Sequence, residues 1–261
     1  MKIATFNVNS VKARLPNILA WLDQAGPEAA PDVLLFQELK CEEAAFPAAV
    51  FEERGYACAV AGQKSWNGVA ILSRRGIDGP VRKALPGDPD DAQARYVEAT
   101  VAGIRVASIY LPNGNPVGTE KYDYKLRWMA RLKTHVQALL KTEAPVVLGG
   151  DYNVIPEPED THDPAAWAED ALFRTETRRA FREILHLGLT DALRAVDSRP
   201  HLFTFWDYQA RSFERDNGIR IDHFLLSPQA ADRLKGCRVD RWPRGQEKAS
   251  DHTPVVLELA D

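Results

Sequence analysis

An α/β fold built on mixed β-sheets is what this 261-residue sequence predicts, on three observations. Short β-rich runs recur along the whole chain, and amphipathic helical patterns lie between some of them. One pair of runs, Tyr96 to Val101 and Ile104 to Leu111, is separated by only Ala102 and Gly103, the spacing of a hairpin. Strands joined through helices favour parallel neighbours and a hairpin demands antiparallel ones, so the sheet or sheets are mixed.

The elements follow in order. Ile3 to Val8 is a strand-like run, after which Leu15, Ile18, Leu19 and Leu22 recur at helical spacing. Val33 to Phe36 and Gly68 to Leu72 are compact apolar runs of strand length, and the hairpin comes next. Trp128, Leu132, Val136, Leu139 and Leu140 mark a longer helix that ends before Pro145. Val146 to Leu148 is a buried strand, Phe181, Ile184 and Leu185 mark a further helix, and Ile221 to Leu226 and Val255 to Leu259 close the series. No linker, repeat or low-complexity run divides the chain, and 45% hydrophobic residues supply a sizeable core, so one domain over residues 1–261 is expected.

Composition narrows the function classes. A formal charge of -4 gives no global basic excess, so any polyanion must be gripped by a local patch. Cys41, Cys58 and Cys237 are widely spaced and odd in number, which argues against a disulfide framework or zinc site and for a reducing compartment. The N-terminus enters a strand-like run without the apolar core of a signal peptide, and no apolar stretch is long enough to span a bilayer. A soluble, cytoplasmic protein with no membrane partner is expected.

The strands share the way they end. Asn7 and Asn9 close the first, Gln37-Glu38 the second, Tyr110-Leu111-Pro112-Asn113-Gly114 the hairpin, and Gly150-Asp151-Tyr152-Asn153 the central apolar run. Arg220-Ile221-Asp222-His223 and Ser250-Asp251-His252 complete the set. A lone Asp or Asn after a strand is usually a turn or cap residue. Six polar strand ends spread over one chain instead suggest a single rim where chemistry is assembled.

Glu38, Asp151, Asp222 and Asp251 brought together would repel one another unless a cation or protons compensate. All-oxygen ligation selects magnesium, calcium or manganese over zinc; Mg2+ is expected, with Mn2+ able to substitute, and because magnesium keeps waters and only one or two protein carboxylates it leaves others free for proton transfer. A histidine steadied by an aspartate can then donate to a developing oxyanion. This combination suits metal-assisted phosphodiester hydrolysis. The sequence lacks a GxxxxGK[ST] loop, HExxH, a GxSxG elbow and GxGxxG. His162 has no spaced partner and reads as a false lead for metal binding.

The ordered set Asn7-Val8-Asn9, Gln37-Glu38, Tyr110 to Gly114, Gly150 to Asn153, Arg220-Ile221-Asp222 and Ser250-Asp251-His252 resembles the exonuclease III family of apurinic/apyrimidinic endonucleases, within the endonuclease/exonuclease/phosphatase superfamily. The resemblance runs from Ile3 to Leu259 and rests on the combined order of the motifs. It implies a four-layer α/β sandwich, two mixed sheets face to face with helices outside. It also implies cleavage of duplex DNA on the 5′ side of an abasic site, leaving a 3′-hydroxyl and a 5′-deoxyribose phosphate, by a monomer.

By that similarity Glu38 and Asp251 would hold the metal, with Asn9 and Asn7 nearby. Asp151 would deprotonate the attacking water and Asn153 would fix its geometry. Tyr110 would contact the phosphate or act as a phenolate, and His252, steadied by Asp222, would donate to a phosphoryl oxygen. Phe205, Trp206, Ile219 and Ile221 would line the pocket for the flipped sugar, with a core role the alternative for Phe205 and Trp206. Ile219 stands where some relatives place a bulky aromatic, which would leave the pocket looser and open to blocked 3′ ends, with exonuclease and 3′-phosphatase side activity. Lys64, Arg95, Asn113, Lys121, Lys125, Arg211 and Arg215 are the candidates for gripping phosphates, whereas Arg174, Arg178, Arg179 and Arg182 read as a solvated helix face. Two other readings are a lipid or inositol phosphoesterase and a binding protein with a decayed site. The first lacks a recognisable membrane-facing loop, and the second should show gaps among these positions.

Overall fold

A computed structural model describes residues 1–26 and 29–261. One sheet contains β1 (Lys2–Asn7), β2 (Val33–Gln37), β3 (Ala57–Ala61), β4 (Val69–Ser73), β11 (Leu234–Val239) and β12 (Val255–Leu259). The other contains β5 (Asp78–Arg82), β6 (Tyr96–Val101), β7 (Ile104–Tyr110), β8 (Val146–Asp151), β9 (Thr190–Asp191) and β10 (Asp222–Leu226). Their orders are β11-β12-β1-β2-β4-β3 and β5-β6-β7-β8-β10-β9. Each sheet has one parallel central pair, β1 with β2 and β7 with β8, and is otherwise antiparallel.

Each parallel pair needs a crossover, and helices α1 (Val11–Ala25) and α3 (Glu120–Leu140) supply them. The short helix α2 (Ala48–Glu52) joins α1 over the first sheet, through a core that includes Phe6, Trp21, Leu34, Phe36 and Phe51. Helix α4 (Thr175–Leu185) joins α3 over the second, through Trp128, Leu132, Leu148, Tyr152 and Phe181. Between the sheets, Ile3, Leu35, Ile71, Val97, Val106, Val147, Phe224 and Leu257 form a third apolar core. These layers are the expected four-layer sandwich.

Two glycines let the sheets and strands close on one another. A Cβ on Gly149 would lie 2.5 Å from Phe224 Cε1 and 2.7 Å from Leu35 Cδ1 across the inter-sheet core, and one on Gly150 would lie 2.0 Å from the Ile109 carbonyl oxygen. β3, β5, β9 and β11 went unread in the sequence: β5 is largely exposed and β9 has two residues.

This topology gathers the polar strand ends. β1, β2, β7 and β8 finish at one rim, and because β10 runs antiparallel to β8 and β12 to β1, the residues that begin those strands reach the same rim. Asp222 lies directly opposite Asp151 in the β8–β10 register.

Candidate active site

Asn7 stands at the centre of the rim. Its buried amide nitrogen donates to Glu38 Oε1 at 2.9 Å and to Asp151 Oδ2 at 2.9 Å, joining the two sheets. Asn153 donates its backbone N–H to Asp151 Oδ1 at 2.9 Å. Asp151 is buried, and burial together with the nearby Asp222 charge raises its carboxyl pKa above the ordinary range, against the pull of His252 and these hydrogen bonds. A carboxylate so placed is a stronger proton acceptor than a solvated one.

His252 Nδ1 donates to Asp222 Oδ2 at 2.9 Å, and that oxygen also accepts from Thr204 Oγ1 at 2.6 Å. Burial disfavours the imidazolium, but the charges of Asp222 and Asp151 and the Asp222 hydrogen bond outweigh it and raise His252 to about 10. His252 is therefore a cation at neutral pH. Its Nε2 lies 3.7 Å from Asp151 Oδ2, an ion pair too long for a hydrogen bond, which leaves that proton for an incoming oxygen.

Glu38 remains ionised. Burial raises its carboxyl, yet Lys40, 2.9 Å from Oε2, and the Asn7 amide bring it below the usual range. Lys40 also donates to Asn9 Oδ1, and Asn9 donates to Asp251 Oδ1 at 3.0 Å. Burial, with Glu38 and Asp151 close by, pushes the Tyr110 phenol well up, so it is a neutral donor rather than a phenolate at neutral pH. Asn9, Glu38, Lys40 and Asn153 all have positive φ, between 43° and 53°, so four non-glycine residues at this rim hold left-handed backbone.

The residues fit a hard divalent ion. Glu38, Asp151 and His252 each present a ligand-type atom within 4.8 Å of the others. With His252 charged, the carboxylates are the oxygen donors left in that group, and Asp251, which accepts from Asn9, borders the same pocket.

That pocket, of about 310 Å³, is lined on its polar side by Glu38, Tyr110, Asn113, Asp151, Asn153, Asp251 and His252. Its apolar wall is Trp167, Leu172, Phe205, Ile219 and Ile221. Phe205, Ile219 and Ile221 are where the sequence placed them. Trp206 is not in the lining: it is fully buried, donates from Nε1 to Asp216 and packs edge-on against Phe203 and Phe213, which is its core alternative.

Of the phosphate-gripping candidates, Arg95, Asn113 and Lys121 line a neighbouring groove that shares Tyr110 and Asn113 with the pocket. Lys64 is exposed two residues before Trp66 of that groove, and Arg211 and Arg215 are exposed in the loop after Tyr208. Lys125 corrects the sequence reading: it is completely buried and faces backbone carbonyls, so it is no surface contact for DNA. Arg178 and Arg182 pair with Glu157, and exposed His162 faces the Gly218 carbonyl. Lys40, Thr204, Trp167 and Leu172 went unread; Lys40 stands two residues after Glu38, the one local signal for it.

An acidic, amide and imidazolium rim on two stacked mixed sheets defines a phosphoester hydrolase. Residues 4–252 match the Endonuclease/Exonuclease/phosphatase family, and the chain belongs to it. Exodeoxyribonuclease III of Haemophilus influenzae is 29% identical over 271 residues, spanning 99% of this chain and 100% of that one. Among solved structures, the 3′ phosphatase NExo from Neisseria bound to a product DNA hairpin is 41% identical with a TM-score of 0.95, each chain covered in full. The AP endonuclease from Archaeoglobus fulgidus is 39% identical with a TM-score of 0.94, again over both full chains. The protein is a phosphodiester hydrolase.

Proposed function

We propose that the protein is a Mg2+-dependent DNA repair nuclease that hydrolyses the phosphodiester 5′ to an abasic site in duplex DNA and trims blocked 3′ ends. The observation that carries this reading is the pocket itself, where the Asp151–His252 pair faces a wall of Trp167, Leu172, Phe205, Ile219 and Ile221. Such a wall suits a sugar without its base, turned out of the duplex. The names of its relatives, an exodeoxyribonuclease, a 3′ phosphatase and an AP endonuclease, lie within the same chemistry.

In this reading Asp151 takes the proton of the attacking water, and the Asn153 N–H and Asn7 amide keep its carboxylate aimed. His252 donates from Nε2 to the phosphoryl oxygen as negative charge develops, and Asp222 keeps the ring charged and oriented. Tyr110, as a neutral phenol, donates to the phosphate, and Asn113 contacts the same group. Glu38 and Asp251, with Asn9 nearby, would hold the cation, which when bound would supply charge neutralisation at phosphorus. Arg95, Lys121, Lys64 and Arg211 give affinity for the backbone without sequence preference. The protein works as a monomer in the cytoplasm.

The test is incision of a duplex carrying one tetrahydrofuran abasic analogue, beside a duplex ending in a 3′-phosphate. Cleavage in Mg2+ that EDTA abolishes supports the proposal. Failure to cut the abasic duplex in Mg2+, or undiminished cutting in EDTA, removes it, and phosphate release alone would reassign the enzyme to 3′ ends.

A further inference from the structure

Lys125 lies on the buried stripe of α3, in line with Tyr122, Trp128, Met129, Leu132 and Val136, and is 0% exposed. An apolar residue would fill this place without the desolvation a buried ammonium carries. What such a residue cannot supply is donation in two directions. Lys125 Nζ donates to the Asn113 carbonyl at 3.0 Å and to the Asn153 carbonyl at 2.6 Å.

Those carbonyls belong to the two loops that leave the parallel strands β7 and β8. The loops meet at the rim, where Asn113 Nδ2 donates to Asn153 Oδ1 at 3.1 Å and Asn153 Nδ2 donates to the Leu111 carbonyl at 2.9 Å. Asn153 also holds Asp151 through its backbone N–H, from a left-handed conformation with φ 48° that a free loop would readily leave. Behind it the lysine stem is fixed by packing. A Cβ on Gly114 would sit 2.6 Å from Lys125 Cδ and 3.2 Å from its Cβ, so the Gly114 backbone packs directly on the stem.

We propose that Lys125 is a positioning residue, whose amino group clamps the Asn113 and Asn153 backbones so that both amides and the Asp151 carboxylate keep their working geometry. This rests on the reading that the rim hydrolyses phosphodiesters. Lys125 touches no substrate and acts through Asn153 and Asn113.

The experiment compares Lys125→Met, which keeps length and loses the donors, with Lys125→Gln, which keeps an N–H. Rates on tetrahydrofuran duplex are expressed per folded molecule, so partial unfolding does not count. The clamp predicts a kcat loss of about 10- to 100-fold for Lys125→Met with KM within about 3-fold, and a smaller than multiplicative further loss when Lys125→Met is added to Asn153→Ala, whose backbone the lysine still holds. A full multiplicative loss on that background, or a raised KM with kcat kept, would overturn it. Should Lys125→Met not fold, Lys125→Leu, which likewise lacks the donors, is read by the same criteria, and Lys125→Gln is expected to lose less than either. Independently of activity, the side-chain amide resonances of Asn113 and Asn153, assigned by their loss in alanine variants, shift in both Lys125 variants while other asparagines stay put. Unmoved resonances would refute the clamp even if the wild type cut no DNA at all, whereas shifted resonances in an inactive wild type would refute only the functional reading.

Discussion

Replacing Asp222 by asparagine removes the charge that His252 depends on and leaves an oxygen for Thr204 to donate to. The ring lies 2.9 Å from the carboxylate, is almost fully buried, and is raised to about 10 because Asp222 and Asp151 outweigh the cost of burial. A hydrogen bond to a charged group contributes about 1.5–3 kcal/mol. Each 1.36 kcal/mol is tenfold, so incision of abasic duplex should slow about 10- to 150-fold near pH 7.5. The same energy lowers His252 by about 1–2 pH units, which moves the alkaline limb of the kcat/KM profile toward neutrality by that amount. The assay is incision of the tetrahydrofuran duplex from pH 6 to 10 in saturating Mg2+, for wild type and Asp222→Asn. A loss under about 3-fold, or an unmoved alkaline limb, would refute the role given to the pair.

Further outcomes follow from other parts of the molecule. Glu38→Gln should raise the Mg2+ concentration for half-maximal incision by about 10-fold or more, since a carboxylate is a far better ligand than an amide for this ion; an unchanged Mg2+ dependence would move the metal elsewhere. Trp206→Ala should destabilise by about 3–5 kcal/mol, read from urea unfolding, because the indole is wholly buried; normal stability with impaired sugar binding would return it to the pocket. His223 is held at about 4 by burial and by Arg220, against an ordinary 6.5. The unfolded chain thus binds the extra proton between pH 6.5 and pH 4, and stability contributed above pH 6.5 is lost across that window, by about 3 kcal/mol. Comparison of urea midpoints for wild type and His223→Gln isolates this contribution, and identical slopes in the two would contradict it.

The strands that build the site were legible because their buried stretches are apolar and their polar residues fall at the ends; Tyr96–Val101 and Val255–Leu259 have the predicted bounds. β5 was illegible for the opposite reason, since an exposed edge strand buries little and shows no apolar run. Asp151, Asp222 and His252 were found as strand ends, but that Asp222 faces Asp151 depends on the antiparallel pairing of β8 and β10, which no local pattern encodes. Lys125 was misread because the helical pattern was read only from Trp128 onward, which left this lysine in the loop after Asn113, whereas the helix begins at Glu120. Its place on the stripe of Tyr122, Trp128 and Leu132 was the signal that it points inward. Trp206 and Phe205 are adjacent aromatics, one in the core and one in the pocket, and only the strand-like pairing of Phe205 with Ile219 and His252 separates them.

The central claim is that water held by Asp151 attacks phosphorus at an abasic site. Incision of tetrahydrofuran duplex in 18O-labelled water, followed by mass spectrometry of both fragments, tests it most directly. One 18O is expected in the new 5′-phosphate and none in the new 3′-hydroxyl, with incorporation abolished in Asp151→Asn. An unlabelled 5′-phosphate, or label appearing at an undiminished rate in Asp151→Asn, would contradict it.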